Sequence, residues 1–221
     1  MATHTHALPT SAWRRLRLHA FEPFSYANGP GCRAVVWVQG CTLGCPACFN
    51  PETHSFFGGE WVAVDALFER IAALEGQIEG ITISGGEPLQ QRPALLTLLQ
   101  RVRAETNLSV IVFTGYTWEE VLRFREAPAL LRCIDVLIAG RYEPSLRLAR
   151  DLRGSANKTV HLLTPRYTLA DLALTPVGEV IIEPDGTITL SGIDPMRWNR
   201  NDVQTMYNFR RGADAYREEE G

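Results

Sequence analysis

The stretch Cys41-Thr42-Leu43-Gly44-Cys45-Pro46-Ala47-Cys48 places three cysteines in a C-x3-C-x2-C pattern, shortly after the apolar run 34–38. A short apolar run predicts a buried strand, so the cysteines should lie on the loop that follows that strand. Three thiolates on one loop form a soft ligand set, which selects iron–sulfur clusters, zinc or Cu(I). We therefore predict that Cys41, Cys45 and Cys48 are metal ligands.

Two kinds of metal centre fit these cysteines. A tetrahedral zinc site needs a fourth ligand, which His54 or Cys32 could supply, although no second C-x2-C pair follows the first. A cluster of four irons held by three cysteines has one iron without a protein ligand, and a cofactor can bind there. The spacing favours the cluster and leaves the zinc site as the alternative.

The composition is typical of a globular domain in a reducing compartment. The chain has 221 residues, of which 45% are hydrophobic, enough for a single core. It lacks an apolar run of about 20 residues, the length that spans a bilayer. A net charge of −3 gives no electrostatic basis for binding nucleic acid. Five cysteines, three of them clustered, suit metal chemistry better than disulfides, so we expect a cytoplasmic protein. The short apolar runs and the net charge lead us to expect neither membrane nor nucleic acid partners.

Apolar runs and helical periodicity alternate along the middle of the chain. Strands are predicted at 33–39, 80–84, 108–113, 134–138 and 159–163, and helices at 62–74, 89–102 and 118–124. Such alternation predicts an α/β fold with a parallel sheet built from right-handed βαβ units. Since eight such units do not fit in this length, we expect a partial (β/α) barrel of about five or six mostly parallel strands.

Further elements are predicted on either side of this core. One strand is predicted within residues 13–24, and residues 178–190 predict a C-terminal β-hairpin with Asp185-Gly186 at its turn. We divide the chain into an N-terminal extension and strand (1–23), a core (24–176), and a C-terminal hairpin with a polar tail packed on the core (177–221).

A second motif follows the predicted strand at 80–84. The run Ser84-Gly85-Gly86-Glu87-Pro88 contains two glycines, which let a backbone approach a ligand closely and expose its carbonyls. The Glu87 carboxylate can pair with an ammonium group. Ligands bind beyond the carboxyl ends of the strands in such sheets, so we expect Gly85, Gly86 and Glu87 to lie near the cysteine loop.

These two motifs resemble those of the radical S-adenosylmethionine (SAM) superfamily. In that superfamily the first strand leads to a C-x3-C-x2-C loop, and the second ends in a Gly-Gly-Glu run that binds the amino group of SAM. The resemblance implies a [4Fe–4S] cluster on Cys41, Cys45 and Cys48, with SAM bound at residues 85–87. It also implies reductive cleavage of SAM to a 5′-deoxyadenosyl radical, performed by the cofactors rather than by a catalytic side chain.

Five further runs narrow the resemblance to activating enzymes of glycyl radical enzymes, in particular those of anaerobic ribonucleotide reductase. They are Asn28-Gly29-Pro30-Gly31, residues 45–50, Thr114-Gly115-Tyr116, Gly140-Arg141 and residues 153–157. The resemblance implies a glycyl radical enzyme as protein substrate, which loses hydrogen from a glycine, and an electron donor such as flavodoxin or ferredoxin. It further implies cofactor contacts from Thr114, Arg141, Arg153, Ser155 and Asn157.

Some features leave alternatives open. Ala139 stands where those activators often have an acidic residue, and Ala47 stands where many radical SAM loops have an aromatic residue. Arg141 could instead pair with Glu143, and the side chains at 153, 155 and 157 could cap a turn. The nearest alternative function is a radical SAM enzyme that modifies a peptide or a small molecule. The other alternative is a non-catalytic zinc module.

Overall fold

The computed structural model describes residues 14–182 and 185–194 of the chain. Most of the expected N-terminal extension lies outside these residues, as does the expected polar tail from residue 195 onward. The division at residues 23/24 and 176/177 stays a prediction. Within the described residues, no helix is both long and apolar enough to cross a membrane.

Strands and short helices alternate through this part of the chain. The strands are β1 (Arg15–Ser25), β2 (Arg33–Val38), β3 (Glu60–Ala63), β4 (Gly80–Gly85), β5 (Ser109–Thr114), β6 (Val136–Ala139), β7 (Arg147–Arg150), β8 (Arg153–Ser155), β9 (Thr159–Leu162), β10 (Glu179–Ile182) and β11 (Ile188–Ser191). The α-helices are α1 (Val64–Ala72), α2 (Arg92–Glu105), α3 (Trp118–Leu122), α4 (Ala127–Leu131) and α5 (Leu169–Ala173).

Seven strands form one sheet, in the order β3-β1-β2-β4-β5-β6-β9. At its centre β2, β4, β5 and β6 run parallel to one another, whereas β1, β3 and β9 pair antiparallel at its sides. The predicted α/β class with a mostly parallel central sheet is confirmed. Because the parallel register places Val38 beside Gly85 and Thr114 beside Ala139, the carboxyl ends of the four central strands meet at one edge.

The apolar sequence of the central strands is explained by burial on both faces. Strand β2 is an example, with Val35 and Val36 both fully buried although their side chains point to opposite faces. Helix α2 covers one face with residues at helical spacing, Leu95, Leu98, Leu99 and Val102. The packed core therefore holds the loops at the carboxyl edge on rigid strands.

Two segments differ from the pattern expected from sequence. The helix predicted over 62–74 begins only at Val64, because residues 60–63 form β3 and pair with β1. An available partner strand there outweighs the helical periodicity. Residues 143–157, which lack a clear periodicity, contain the antiparallel pair β7 and β8.

The predicted C-terminal hairpin is confirmed. Strands β10 and β11 pair antiparallel, with Glu179 opposite Ser191 and Ile182 opposite Ile188. The turn contains Gly186 at a φ of 87°, a value that glycine adopts readily. The hairpin is a two-stranded sheet of its own, separate from the central sheet.

Candidate metal and cofactor site

A cavity of about 440 Å³ lies at the edge where β2, β4 and β5 end. All three predicted metal ligands line it, Cys41, Cys45 and Cys48. Its lining also includes the predicted cofactor-binding residues Gly85, Gly86, Glu87 and Thr114. The structure thus brings the cysteine loop and the Gly-Gly-Glu run together. The volume is within the usual range for sites that bind small organic molecules.

Backbone hydrogen bonds hold the start of the cysteine loop against the chain that follows it. The Gly40 N–H donates to the Thr53 carbonyl at 2.7 Å, and the Cys41 N–H donates to the His54 carbonyl at 3.1 Å. These bonds fix the backbone that precedes the first thiol. The backbone position of Cys41 at the cavity is therefore fixed by the protein itself.

All five cysteines are free, and the three in the loop are half-buried. Burial raises the pKa of the Cys41 and Cys48 thiols. Hydrogen bonds from the Leu43 and Asn50 N–H groups have the opposite effect and lower it. A metal that binds here must displace the thiol protons. Among the described residues, no three His, Cys, Asp or Glu side chains are grouped closely enough to hold a single metal ion.

The zinc alternative depends on a fourth ligand, and the fold separates one of its two candidates from the site. Cys32 precedes β2 and the cysteine loop follows it, so the six residues of the strand put about 20 Å between them. The expectation that Cys32 could complete a zinc site is therefore wrong. His54 does line the cavity.

The two glycines of the Gly-Gly-Glu run are needed for close contact with the cysteine loop. A Cβ on Gly85 would lie 2.5 Å from the Val38 nitrogen, and a Cβ on Gly86 would lie 2.4 Å from the Gly40 carbonyl oxygen. The Gly86 N–H donates to the Val38 carbonyl at 2.8 Å, and the Glu87 N–H donates to the Gly40 carbonyl at 2.9 Å. Small residues here thus join the two motifs to each other.

Glu87 is buried, and its carboxylate already accepts hydrogen bonds from other residues of the protein. Its oxygens accept hydrogen bonds from the Thr114 hydroxyl at 2.8 Å, the Gly115 N–H at 2.7 Å and the Leu89 N–H at 2.8 Å. Burial raises the pKa of Glu87 to about 7, although these three donors and the Lys158 ammonium act to lower it. The carboxylate therefore links the segment that follows β4 to the end of β5.

Lys158 is a cavity residue that the sequence analysis did not single out. It is the chain's only lysine, it lines the cavity, and its Nζ donates to the Gly140 carbonyl. Burial lowers the pKa of its ammonium group, while Cys45, Glu87 and Cys48 act to raise it. Its sequence signals were its position directly after the run 153–157 and its being the chain's only lysine.

Strand β8 turns the predicted residues of the run 153–157 away from the cavity. The cavity is lined by Leu152 and Gly154, whereas Arg153 and Ser155 do not line it. Successive residues of a strand point to opposite faces, so the side chains of Arg153 and Ser155 lie on the face that points away from the cavity. Arg153 instead pairs with Asp151 at 3.1 Å.

The remaining predicted residues of this region also bond within the chain. Asn157 does not line the cavity, and its Nδ2 donates to the Arg141 carbonyl at 2.9 Å. Arg141 forms two hydrogen bonds with the Glu120 carboxylate, at 2.7 and 3.1 Å. These bonds raise the pKa of Arg141. The alternative pairing of Arg141 with Glu143 is therefore wrong, because the carboxylate that Arg141 contacts is on α3.

An aromatic pair forms another wall of the cavity. The rings of Phe49 and Tyr142 lie 4.4 Å apart between centroids, and both residues line the cavity. Gly154 leaves room for Phe49, since a Cβ there would lie 2.4 Å from the ring. The thiols thus share their cavity with apolar aromatic surface.

Comparison with known families defines the class of this domain. Residues 27–161 match the family model of the 4Fe-4S single cluster domain. The match covers more than half of the 221 residues and includes both the cysteine loop and residues 85–87. The class is that of domains with a single [4Fe–4S] cluster.

Curated relatives narrow the class. The chain is 34% identical to the anaerobic ribonucleoside-triphosphate reductase-activating protein of Salmonella typhi, over 67% of this chain and 99% of that protein. The proteins of the same name from Escherichia coli K12 and Enterobacteria phage T4 are 32% and 33% identical, over 67% and 62% of this chain and 99% and 87% of their own. The chain belongs to the family of the anaerobic ribonucleoside-triphosphate reductase-activating proteins. A solved structure of QueE from Escherichia coli is more distant, with 20% identity and a TM-score of 0.33 over 47% of this chain and 54% of its own.

The residues at the cavity fit the cluster that the family implies. Three thiols enter one cavity, which is the donor chemistry that iron–sulfur clusters require. The same cavity contains an ammonium group, from Lys158, and the two glycines of the Gly-Gly-Glu run. It therefore has groups that complement both charges of an amino acid.

Proposed function

We propose that this chain is a radical SAM enzyme that activates an anaerobic ribonucleoside-triphosphate reductase by removing hydrogen from a glycine of that protein. The observation that supports it most directly is the convergence of the three cysteines and residues 85–87 on one cavity. Membership of the activating family supports the choice of partner, because the curated relatives are named for that activity.

Cys41, Cys45 and Cys48 are the residues that would hold a [4Fe–4S] cluster and leave one iron for SAM. The bound cluster and SAM supply one-electron cleavage of a C–S bond and a radical able to abstract hydrogen. The protein contributes position and apolar surroundings. Phe49 and Tyr142 line the cavity together with the thiols, and the bonds of Gly40 and Cys41 orient the loop.

The methionine end of SAM has an ammonium and a carboxylate, and each has a complement in the cavity. We assign the backbone carbonyls at Gly85 and Gly86 to the ammonium, and Lys158 to the carboxylate. Glu87 and Thr114 are positioning residues in this scheme, because their side chains bond to each other. Arg141, Arg153, Ser155 and Asn157 were predicted to contact the cofactor, and their bonds within the chain support structural roles instead.

The central strands form the wall of a partial (β/α) barrel around the cavity, which the shared edge of β2, β4, β5 and β6 supports. A flavodoxin or ferredoxin supplies the electron. The protein acts in the cytoplasm, which its five free thiols support, since thiols persist in reducing compartments.

Anaerobic reconstitution with iron and sulfide, followed by reduction in the presence of SAM, tests the proposal. We expect release of 5′-deoxyadenosine and, when the reductase is added, a glycyl radical detectable by electron paramagnetic resonance. Replacing Cys41, Cys45 and Cys48 with alanine should abolish both signals. The matched control is Cys133→Ala, because Cys133 is buried in the core and does not line the cavity.

Each remaining outcome points to one alternative. Release of 5′-deoxyadenosine without a glycyl radical on the reductase would favour a peptide or small-molecule substrate. Bound zinc without sulfide, in protein purified without oxygen, would favour the non-catalytic module.

A further inference from the structure

The hairpin of β10 and β11 forms one wall of the cavity. The residues from Thr189 to Asp194 all line the cavity together with the cysteine loop. The family model ends at residue 161, so this wall lies outside the matched domain. The alignment with the Salmonella typhi relative spans 99% of that protein but only 67% of this chain. The hairpin therefore adds a surface to the site that the matched domain does not include.

One side of the hairpin is fixed to the body by buried polar contacts. Asn28 Nδ2 donates to the hydroxyls of Ser191 at 2.7 Å and Ser25 at 2.8 Å. The Glu179 carboxylate accepts hydrogen bonds from the Ser25 hydroxyl and from the Tyr26 N–H. Asn28, Ser25 and Ser191 are all buried. Hydrogen bonds in such a setting hold the hairpin in one orientation.

The other face of the hairpin is aliphatic and faces outward. Val180 lies opposite Leu190, and Ile182 lies opposite Ile188, so the four side chains share one face. Their exposed fractions are 38%, 37%, 69% and 61%, in that order. Within the described residues of the two strands, this face carries no charged side chain. We call these four residues the hairpin face.

The hairpin face is continuous with the cavity, because Leu190 belongs to both. A glycine that enters the cavity is attached to polypeptide on both sides, and that polypeptide must leave along the cavity rim. The exposed aliphatic surface on this side of the rim suits apolar side chains in an extended segment.

We propose that the hairpin face is the docking surface for the polypeptide beside the target glycine of the protein substrate, and that this segment is extended and apolar. The inference rests on the proposed function, which requires a protein substrate. It makes the hairpin the element that selects this partner.

The double variant Ile182→Thr/Ile188→Thr tests the docking surface. Threonine keeps the β-branched shape and removes apolar contact, and neither position lines the cavity. We expect the reductase concentration for half-maximal glycyl radical formation to rise about tenfold, since two isoleucines that become buried on docking are a substantial part of an interface. Release of 5′-deoxyadenosine without reductase should not change. The control Leu174→Thr alters an apolar side chain that is 82% exposed and outside the cavity.

The outcomes separate this inference from the proposed function. If the wild type releases 5′-deoxyadenosine but forms no glycyl radical, the proposed function fails, and the docking surface fails with it. If the wild type forms the radical and the double variant needs no more reductase, only the docking surface is refuted.

A second measurement covers the case in which the double variant folds poorly. A photo-crosslinking amino acid at position 182, in protein that still forms the glycyl radical, should join the reductase near its target glycine. The same amino acid at position 174 is the control. Crosslinking only to residues of the same chain, or only to a second copy of it, would overturn the proposal, as would the absence of any crosslink.

Discussion

The Thr114 hydroxyl donates a 2.8 Å hydrogen bond to the Glu87 carboxylate, and so joins the end of β5 to the run that follows β4. Thr114 also accepts a bond at 3.1 Å from the Tyr116 N–H. The Thr114 and Glu87 side chains are both almost fully buried. The Gly-Gly-Glu run is thus held on two sides. Its backbone bonds to the start of the cysteine loop, and the Glu87 side chain bonds to the end of β5.

Thr114→Val should lower the free energy of unfolding by about 2 kcal/mol, because it removes one donor from a buried carboxylate and leaves the Tyr116 N–H unpaired. Denaturant unfolding of the protein without cofactors measures this change. In the control Thr97→Val, the lost bond is to a carbonyl of the same helix, and the change should stay below about 0.5 kcal/mol. Equal effects of the two variants would contradict the role of Thr114.

The raised pKa of Glu87 predicts a pH dependence of stability. The folded protein binds this proton more tightly than the unfolded chain, so stability should fall as the pH rises from 4.5 to about 7 and then level off. A pKa shift of this size corresponds to a loss of about 3 kcal/mol in unfolding free energy for a buried group. Denaturant unfolding at several values between pH 4.5 and 7.5 measures the loss. In Glu87→Gln the fall over this interval should be smaller by that amount, and an unchanged fall would show that another group titrates.

Gly86→Ala should reduce both stability and cluster content. The added methyl group would lie 2.4 Å from the Gly40 carbonyl, which is backbone and cannot move aside without shifting the cysteine loop. We expect a loss of about 3 kcal/mol in unfolding free energy and less than half of the wild-type iron after reconstitution. Gly76→Ala is the control: its φ of 86° strains the alanine, which should cost about 1 kcal/mol, but no atom lies within 4 Å of the added group, so the iron content should match the wild type. Normal iron content in Gly86→Ala would refute the coupling between the two motifs.

Lys158→Met should weaken SAM binding without loss of the cluster. Removal of a charge-assisted hydrogen bond to a carboxylate corresponds to about 2 kcal/mol, which raises the Kd for SAM roughly thirtyfold. Equilibrium binding of SAM to the reconstituted protein measures the Kd, and iron analysis reports the cluster. The matched control is Arg150→Met, which removes a cation that is mostly exposed. If Lys158→Met binds SAM as tightly as the wild type, another group holds the carboxylate.

Much of the architecture could be predicted from the sequence. The apolar runs were sufficient to locate β2, β4, β5 and β6, because parallel strands are buried on both faces and read as continuous hydrophobic segments. The two-residue Asp-Gly signal was sufficient for the hairpin. Strand β3 could not be predicted in this way, since residues 60–63 are strand only because β1 lies beside them.

The order of residues by itself predicted the metal ligands and the cofactor motif, because each depends on spacing within one short run, residues 41–48 for the cysteines and residues 85–87 for the Gly-Gly-Glu run. Tertiary structure alone decided which other side chains reach the cavity. The alternation of residues along β8 directs Gly154 toward the cavity and Arg153 away from it. The pairing of β9 with β6 brings Lys158 to the cavity that the thiols line. Local spacing is a property of the chain, whereas burial and contact between distant residues depend on the register in which strands pair.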